Sequence, residues 1–213
     1  MIVEKRLVTY LNSLSSPNTP FLNKIEKEAL SQQVPIIRKE TQSLLKLLLA
    51  AQRPQRILEV GTAVGFSTIL MCEYGPKGVM VTTIEKYEKR FPLAEDNFAA
   101  SGYADQITFC KGDATEILAD LGGSFDFIFM DAAKGQYIHF LPHVLRLLTP
   151  GGMLVSDNVL QDGDVVQSRF AVTRRNRTIH SRMREYLYEI THTPELVTDI
   201  LPVGDGVSVS VKE

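Results

Sequence analysis

Between residues 56 and 156, five short apolar runs alternate with four helical segments, which restricts the chain to an α/β fold built on a parallel sheet. The strand candidates are 56–60, 79–84, 107–111, 125–130 and 152–156. They show no polar–apolar alternation, as expected of strands covered on both faces. Helices fit between them at 67–74, 91–101, 114–121 and 135–148. Pro92 suits a first helical turn and Gly102 a C-terminal stop.

The flanks of this alternation differ from it. Leu7, Leu11 and Leu14 repeat at helical spacing until the SSPNTP stretch, 15–20, breaks the run. A second helix fits 21–33, ended by Pro35, and a strongly apolar third fits 39–51. After the fifth strand, 167–191 reads as largely helical. Two last strands, 196–203 and 207–212, are joined by Gly204-Asp205-Gly206, a hairpin signal. There is no repeat and no low-complexity tract, so 1–213 is read as one domain. Its N-terminal helices, 1–51, are expected to pack on or cap the site and to offer an apolar surface for a homodimer.

In an open α/β sheet, ligands bind beyond the carboxyl ends of the strands, where the strand order reverses. The first strand runs into Glu59-Val60-Gly61-Thr62-Ala63-Val64-Gly65-Phe66-Ser67. Gly61 and Gly65 permit a tight turn and a close approach of backbone to ligand. The spacing is not the GxGxxG that cradles a pyrophosphate, which disfavours a dinucleotide dehydrogenase. Glu85 ends the second strand, where an acid can accept both ribose hydroxyls. Asp113, after the third strand, can accept an adenine amino group. Glycine turn, ribose acid and adenine-side acid in that order point to an adenosine site without phosphates. The alternative is that Glu85 and Asp113 merely cap helices.

The fourth strand ends in Asp131-Ala132-Ala133-Lys134 and the fifth in Ser156-Asp157-Asn158. Asp131, Asp157 and Asn158 are expected to converge on neighbouring strands as an all-oxygen set that suits Mg²⁺, Mn²⁺ or Ca²⁺ and not zinc. Lys134 lies close enough to share that site as a general base, or simply to pair with Asp131. His139 and His143 are four apart, but they lack a third ligand and read as a surface face.

These residues carry a resemblance. LEVGTAVGFST, the Glu85 strand end, GDA, DAAKGQY and the DN pair resemble the metal-dependent class I O-methyltransferases, which include the catechol and caffeoyl-CoA enzymes. The similarity covers nearly the whole chain. It implies a Rossmann-like class I methyltransferase fold: a mostly parallel seven-stranded sheet ending in an antiparallel hairpin, with extra N-terminal helices. It implies that Ile37, Glu59, Gly61, Ser67, Glu85, Asp113, Ala114 and Asp131 surround S-adenosyl-L-methionine. It makes Asp131, Asp157 and Asn158 the metal ligands and Lys134 the catalytic residue. Within the family, VPI before the third helix, DAAKGQY, DNVL, an arginine-rich stretch and PVGDG are most similar to the bacterial branch that converts 5-hydroxyuridine to 5-methoxyuridine at the tRNA wobble position. The plant branch carries a tryptophan just after DN-x-L. Here Gln161 follows, and the chain has no Trp.

Charge distribution separates the substrates this resemblance allows. The net charge is −2, yet residues 165–184 hold six arginines and no acid, a local +6 on a body of −8. Arg174, Arg175 and Arg177 are the candidate RNA contacts. The alternatives are a small phenolic or catechol-like acceptor handled by the same machinery, and an inactive fold that only binds, which the intact acids and Lys134 disfavour. Two cysteines without metal spacing, Cys72 and Cys110, read as buried reduced thiols. An early-charged N-terminus and the lack of any ~18-residue apolar run predict no membrane span and a cytoplasmic location.

Overall fold

A computed structural model of the chain describes residues 2–213. Three helices open it: α1 (Lys5–Leu14), α2 (Pro20–Ser31) and α3 (Lys39–Gln52). The alternating part follows as β1 (Arg56–Val60), α4 (Phe66–Tyr74), β2 (Met80–Glu85), α5 (Phe91–Ser101), β3 (Ile107–Lys111), α6 (Ala114–Asp120), β4 (Phe125–Met130), α7 (Tyr137–Leu147) and β5 (Leu148–Ser156). Helix α8 (Arg177–His192) and the strands β6 (Leu196–Leu201) and β7 (Val207–Lys212) complete it. The seven strands form one sheet in the order β3-β2-β1-β4-β5-β7-β6. β1 to β5 pair in parallel, and β7 runs antiparallel to both β5 and β6. Strand order reverses between β1 and β4, so the crevice belongs at their carboxyl ends.

Successive residues of a strand point to opposite faces, and here both faces are covered by helices. Ile57, Val81, Phe127, Phe129 and Val155 pack with Leu45, Leu49, Ile69 and Phe98 from α3, α4 and α5. Leu58, Val60, Ile128, Met130 and Leu154 pack with Leu118, Phe140, Val144, Met183 and Ile190 from α6, α7 and α8. This explains the apolar runs. β3 departs from the expectation: as an edge strand it has no fully buried residue.

The stretch 167–191 also departs from it. Gln161, Asp162 and Gly163 adopt positive φ, and only short 3₁₀ turns, Gln161–Val166 and Arg174–Asn176, precede α8. A regular helix begins at Arg177, where the sequence acquires a buried stripe at His180, Met183, Tyr186 and Ile190. Upstream of Arg177 no such stripe exists, and residues 167–173 form an irregular loop. Helix α2 ends two residues earlier than expected, before Gln33 at φ +56°.

Candidate active site

Backbone hydrogen bonds continue past the strand ends and fix the floor of the crevice. Gly61 N donates to Ile84 O at 2.9 Å, Asp131 N to Val60 O at 2.9 Å, and Asp157 N to Met130 O at 2.9 Å. The ends of β2, β1, β4 and β5 are therefore laced side by side. Above them lies a cavity of about 910 Å³. Its walls include Ile37, Gly61, Ser67, Glu85, Asp113, Ala114, Asp131, Lys134, Asp157 and Asn158. Among the expected cofactor residues only Glu59 does not line it.

Glu59 sits instead inside the core, fully buried. Its carboxylate accepts hydrogen bonds from the Ser67, Thr68 and Thr83 hydroxyls, the last at 2.6 Å. Burial pushes its carboxyl up to about 7, against the pull of those three donors. Glu59 thus reaches the cavity only through Ser67, by tying the start of α4 to β1 and β2. Gly61, at φ +109°, has no room for a side chain: a Cβ there would meet Asp131 O at 2.1 Å. The glycine lets the turn pass directly over the end of β4.

Glu85 is oriented by backbone. One carboxylate oxygen accepts from Ala63 N at 2.7 Å and the other from Tyr87 N at 2.7 Å. Each oxygen can accept a further hydrogen bond, and Glu85 lines the cavity. Asp113 is an N-cap as well as a wall residue: it accepts from Thr115 N at 2.8 Å and pairs with Lys86 Nζ at 2.5 Å. The Lys86 ammonium, followed by the Thr115 amide, holds its carboxyl down at about 2. The capping alternative therefore holds for Asp113 alongside its place in the wall, and Glu85 caps no helix.

Asp157 is buried, and Asp131 lies deep in the fold while facing the cavity. Desolvation raises both carboxyls above their ordinary range. Asp131 pushes Asp157 further, and Asp205 pushes both. Asp157 Oδ1 accepts from Asn158 N at 2.8 Å and from Thr41 Oγ1 at 3.4 Å. The Asn158 amide nitrogen donates to Asp205, which leaves its carbonyl oxygen for another partner. Among the described residues no three His, Cys, Asp or Glu side chains form a metal cluster; Asp131, Asp157 and Asn158 do line one cavity. Crowded, buried carboxylates beside an amide oxygen, with no Cys or His among them, suit a hard divalent cation.

Lys134 Nζ lies 3.7 Å from Asp205 Oδ2, so its ion-pair partner is Asp205 and not the Asp131 expected as the alternative. The sequence marks Asp205 only as part of a hairpin turn. Buried in the β6–β7 turn, it contacts Lys134, Asn158 and Arg38, with Arg38 Nη2 at 3.5 Å. An acid between two glycines, beside a strand end, was the signal for it. Arg38, also missed, makes a two-pronged contact with Asp162 at 3.0 and 2.9 Å and brings the α2–α3 connection to the cavity wall. Tyr137 was missed as well: its buried hydroxyl lies 3.1 Å from both Met130 O and Asp157 O, spanning the ends of β4 and β5.

Arg174, Arg175 and Arg177 lie outside the cavity wall. Among the described residues none of the six arginines of 165–184 has an acidic partner, so the segment is not a paired, neutral face. Arg182 Nη1 donates to Gly135 O at 3.1 Å, one residue from the wall residue Lys134. His139 is exposed and His143 half-buried, as a surface face requires. Both cysteines are free. Cys72 is buried, its thiol pushed up to about 12 by burial, whereas Cys110 is half-buried.

The chain is similar to known O-methyltransferases. The catechol O-methyltransferase of Niastella koreensis is 38% identical over 126 residues, 57% of this chain and 57% of that protein. The matched stretch thus spans little more than half of that relative. Caffeoyl-CoA O-methyltransferase 1 of Eucalyptus globulus is 29% identical over 174 residues, 78% of this chain and 70% of its own length. Among solved structures, the Bacillus cereus O-methyltransferase in complex with SAH superposes with a TM-score of 0.85 at 25% identity, covering 98% of this chain and 97% of that one. The family profile described as O-methyltransferase matches residues 12–213. The chain belongs to the O-methyltransferase family.

Proposed function

We propose that this chain moves the methyl group of S-adenosyl-L-methionine onto a hydroxyl that has a second oxygen beside it, and that the acceptor is 5-hydroxyuridine at the tRNA wobble position. The observation that carries this reading is the meeting, in one cavity, of the Glu85, Asp131–Lys134 and Asp157–Asn158 strand ends. Bound S-adenosyl-L-methionine supplies an electrophilic methyl, and a divalent cation, Mg²⁺ or its relatives, supplies charge that holds and acidifies the acceptor hydroxyl. Asp131, Asp157 and Asn158 would hold the cation. Glu85 would accept from the ribose hydroxyls, Asp113 and Ala114 would border the adenine, and Ile37, Gly61 and Ser67 would enclose the methionine end. Glu59 supports that end by fixing Ser67. As the neutral amine, Lys134 Nζ would take the acceptor's proton, and the ammonium so formed pairs with the Asp205 carboxylate 3.7 Å away.

The C5 hydroxyl and C4 carbonyl of 5-hydroxyuridine are vicinal oxygens, as the two hydroxyls of a catechol are. An anticodon base is single-stranded and enters a pocket at lower cost than a base in a duplex. Arg174, Arg175 and Arg177 supply the cationic surface that the neighbouring phosphates need. Exposed apolar side chains on α1 fit a homodimer contact. The named relatives favour a second reading, in which the acceptor is a small catechol or phenol. The two are separated by incubating the protein, S-adenosyl-L-methionine and Mg²⁺ with 5-hydroxyuridine tRNA and with catechol, and resolving products by mass spectrometry. The RNA reading expects 5-methoxyuridine as the efficient product. Methylation of catechol with none of tRNA overturns it.

A further inference from the structure

One strongly exposed aromatic side chain stands beside the unpaired arginines. Phe170 is 80% exposed in the irregular loop 167–173. The Arg177 guanidinium covers one side of its ring, 5.6 Å from the centroid, and Arg177 Nε is buried without a hydrogen-bond partner. The loop is nevertheless anchored on both sides of Phe170. Val172 is buried, His180 Nε2 meets Gln167 O at 3.1 Å, and Arg184 Nη1 donates to Val165 O at 3.2 Å. A fixed loop that holds a large apolar ring in water, backed by a cation and flanked by the exposed Arg169, Arg174 and Arg175, is the composition of a stacking surface for unpaired bases.

We infer that Phe170, backed by Arg177, is a stacking platform for an unpaired nucleotide adjoining the base that enters the cavity. The inference rests on the RNA reading above and gives it a partner-contact residue. Position favours RNA over other anionic surfaces. Helix α8 begins at Arg177 beside this patch and reaches the Lys134 segment of the cavity wall, where Arg182 Nη1 donates to Gly135 O at 3.1 Å. The free face of the ring takes a base, and the arginines take the phosphates on either side. Stacking of this kind tolerates any base, so the platform adds affinity and register without sequence preference.

The test uses the full chain, wild type and Phe170→Ala and Phe170→Tyr, with an anticodon stem-loop RNA carrying 5-hydroxyuridine and a 2-aminopurine at the adjoining position. Loss of the ring should weaken binding roughly 5- to 150-fold. The salt dependence should stay the same, because the ring neutralises no phosphate. Wild type should alter 2-aminopurine fluorescence by stacking, Phe170→Ala should not, and Phe170→Tyr should restore it. Methyl transfer to free 5-hydroxyuridine should be the same in all three. If wild type binds and methylates the RNA while Phe170→Ala matches it in affinity and fluorescence, the platform is overturned and the RNA reading stands. If wild type neither binds nor methylates the RNA but methylates catechol, both fall. Loss of binding to phosphatidylserine vesicles in Phe170→Ala, with RNA binding unchanged, would overturn the platform and assign the patch to a membrane surface.

Discussion

Glu59, next to last in β1, is fully buried, and three hydroxyl donors only partly offset its loss of solvation. Its carboxyl is raised from 4.5 to about 7 in the folded chain. A group raised on folding contributes stability that is complete below its unfolded value and is lost as pH rises through the folded one. Glu59 should therefore cost the fold on the order of 3 kcal/mol between about pH 4.5 and 7. Glu59→Gln keeps the shape without the charge and should flatten this dependence. Urea unfolding at pH 5 and pH 8 checks it: the variant gains on wild type at the higher pH, and parallel changes would refute the assignment. Lys134→Ala should lower kcat by about 10²–10⁴ while leaving the cofactor KM nearly unchanged, measured at saturating acceptor. Asp131, Lys134 and Asp157 were legible because strand ends are where side chains face ligands. The internal role of Glu59 was not, since an E-x-G string looks the same whether its acid touches cofactor or holds a serine.

At the scale of elements, the two strands that carry Asp131 and Asp157 are spaced by a side chain from the helix between them. Tyr137→Phe removes the hydroxyl that meets both Met130 O and Asp157 O; Met130 O keeps the Asp157 amide as donor, while Asp157 O loses its contact with the hydroxyl. The variant should lose about 1–2 kcal/mol in denaturant unfolding and bind Mn²⁺ more weakly by calorimetry. Unchanged values for both would show that backbone pairing alone sets the spacing. The βα alternation was legible because strands buried on both faces leave unbroken apolar runs. Residues 167–176 were not: the nearby arginines have high helix propensity, but no apolar stripe exists there to pack a helix down. The role of Asp205 was hidden by the hairpin that presents it, since a turn explains Gly-Asp-Gly without any site.

Across the whole molecule, the sheet and its two apolar layers account for most of the sequence, and α1 stands apart. It buries no residue, and Leu7, Tyr10, Leu11 and Leu14 are all exposed. If a second copy covers them, Leu11→Glu with Leu14→Glu should turn a dimer into a monomer in sedimentation equilibrium, whereas a monomeric wild type at micromolar concentration would dismiss the contact. Among the described residues no helix is long and apolar enough to cross a membrane. On the proposed function, the β4 and β5 ends form one cation-dependent transfer site. Its most direct test is single-turnover methyl transfer from labelled S-adenosyl-L-methionine, with chelator and then with graded Mg²⁺ or Mn²⁺, in wild type and Asp157→Ala. Wild type should fall silent in chelator and recover with the metal, while Asp157→Ala binds the cofactor but does not recover. Full transfer in chelator, or full transfer by Asp157→Ala, would contradict the account.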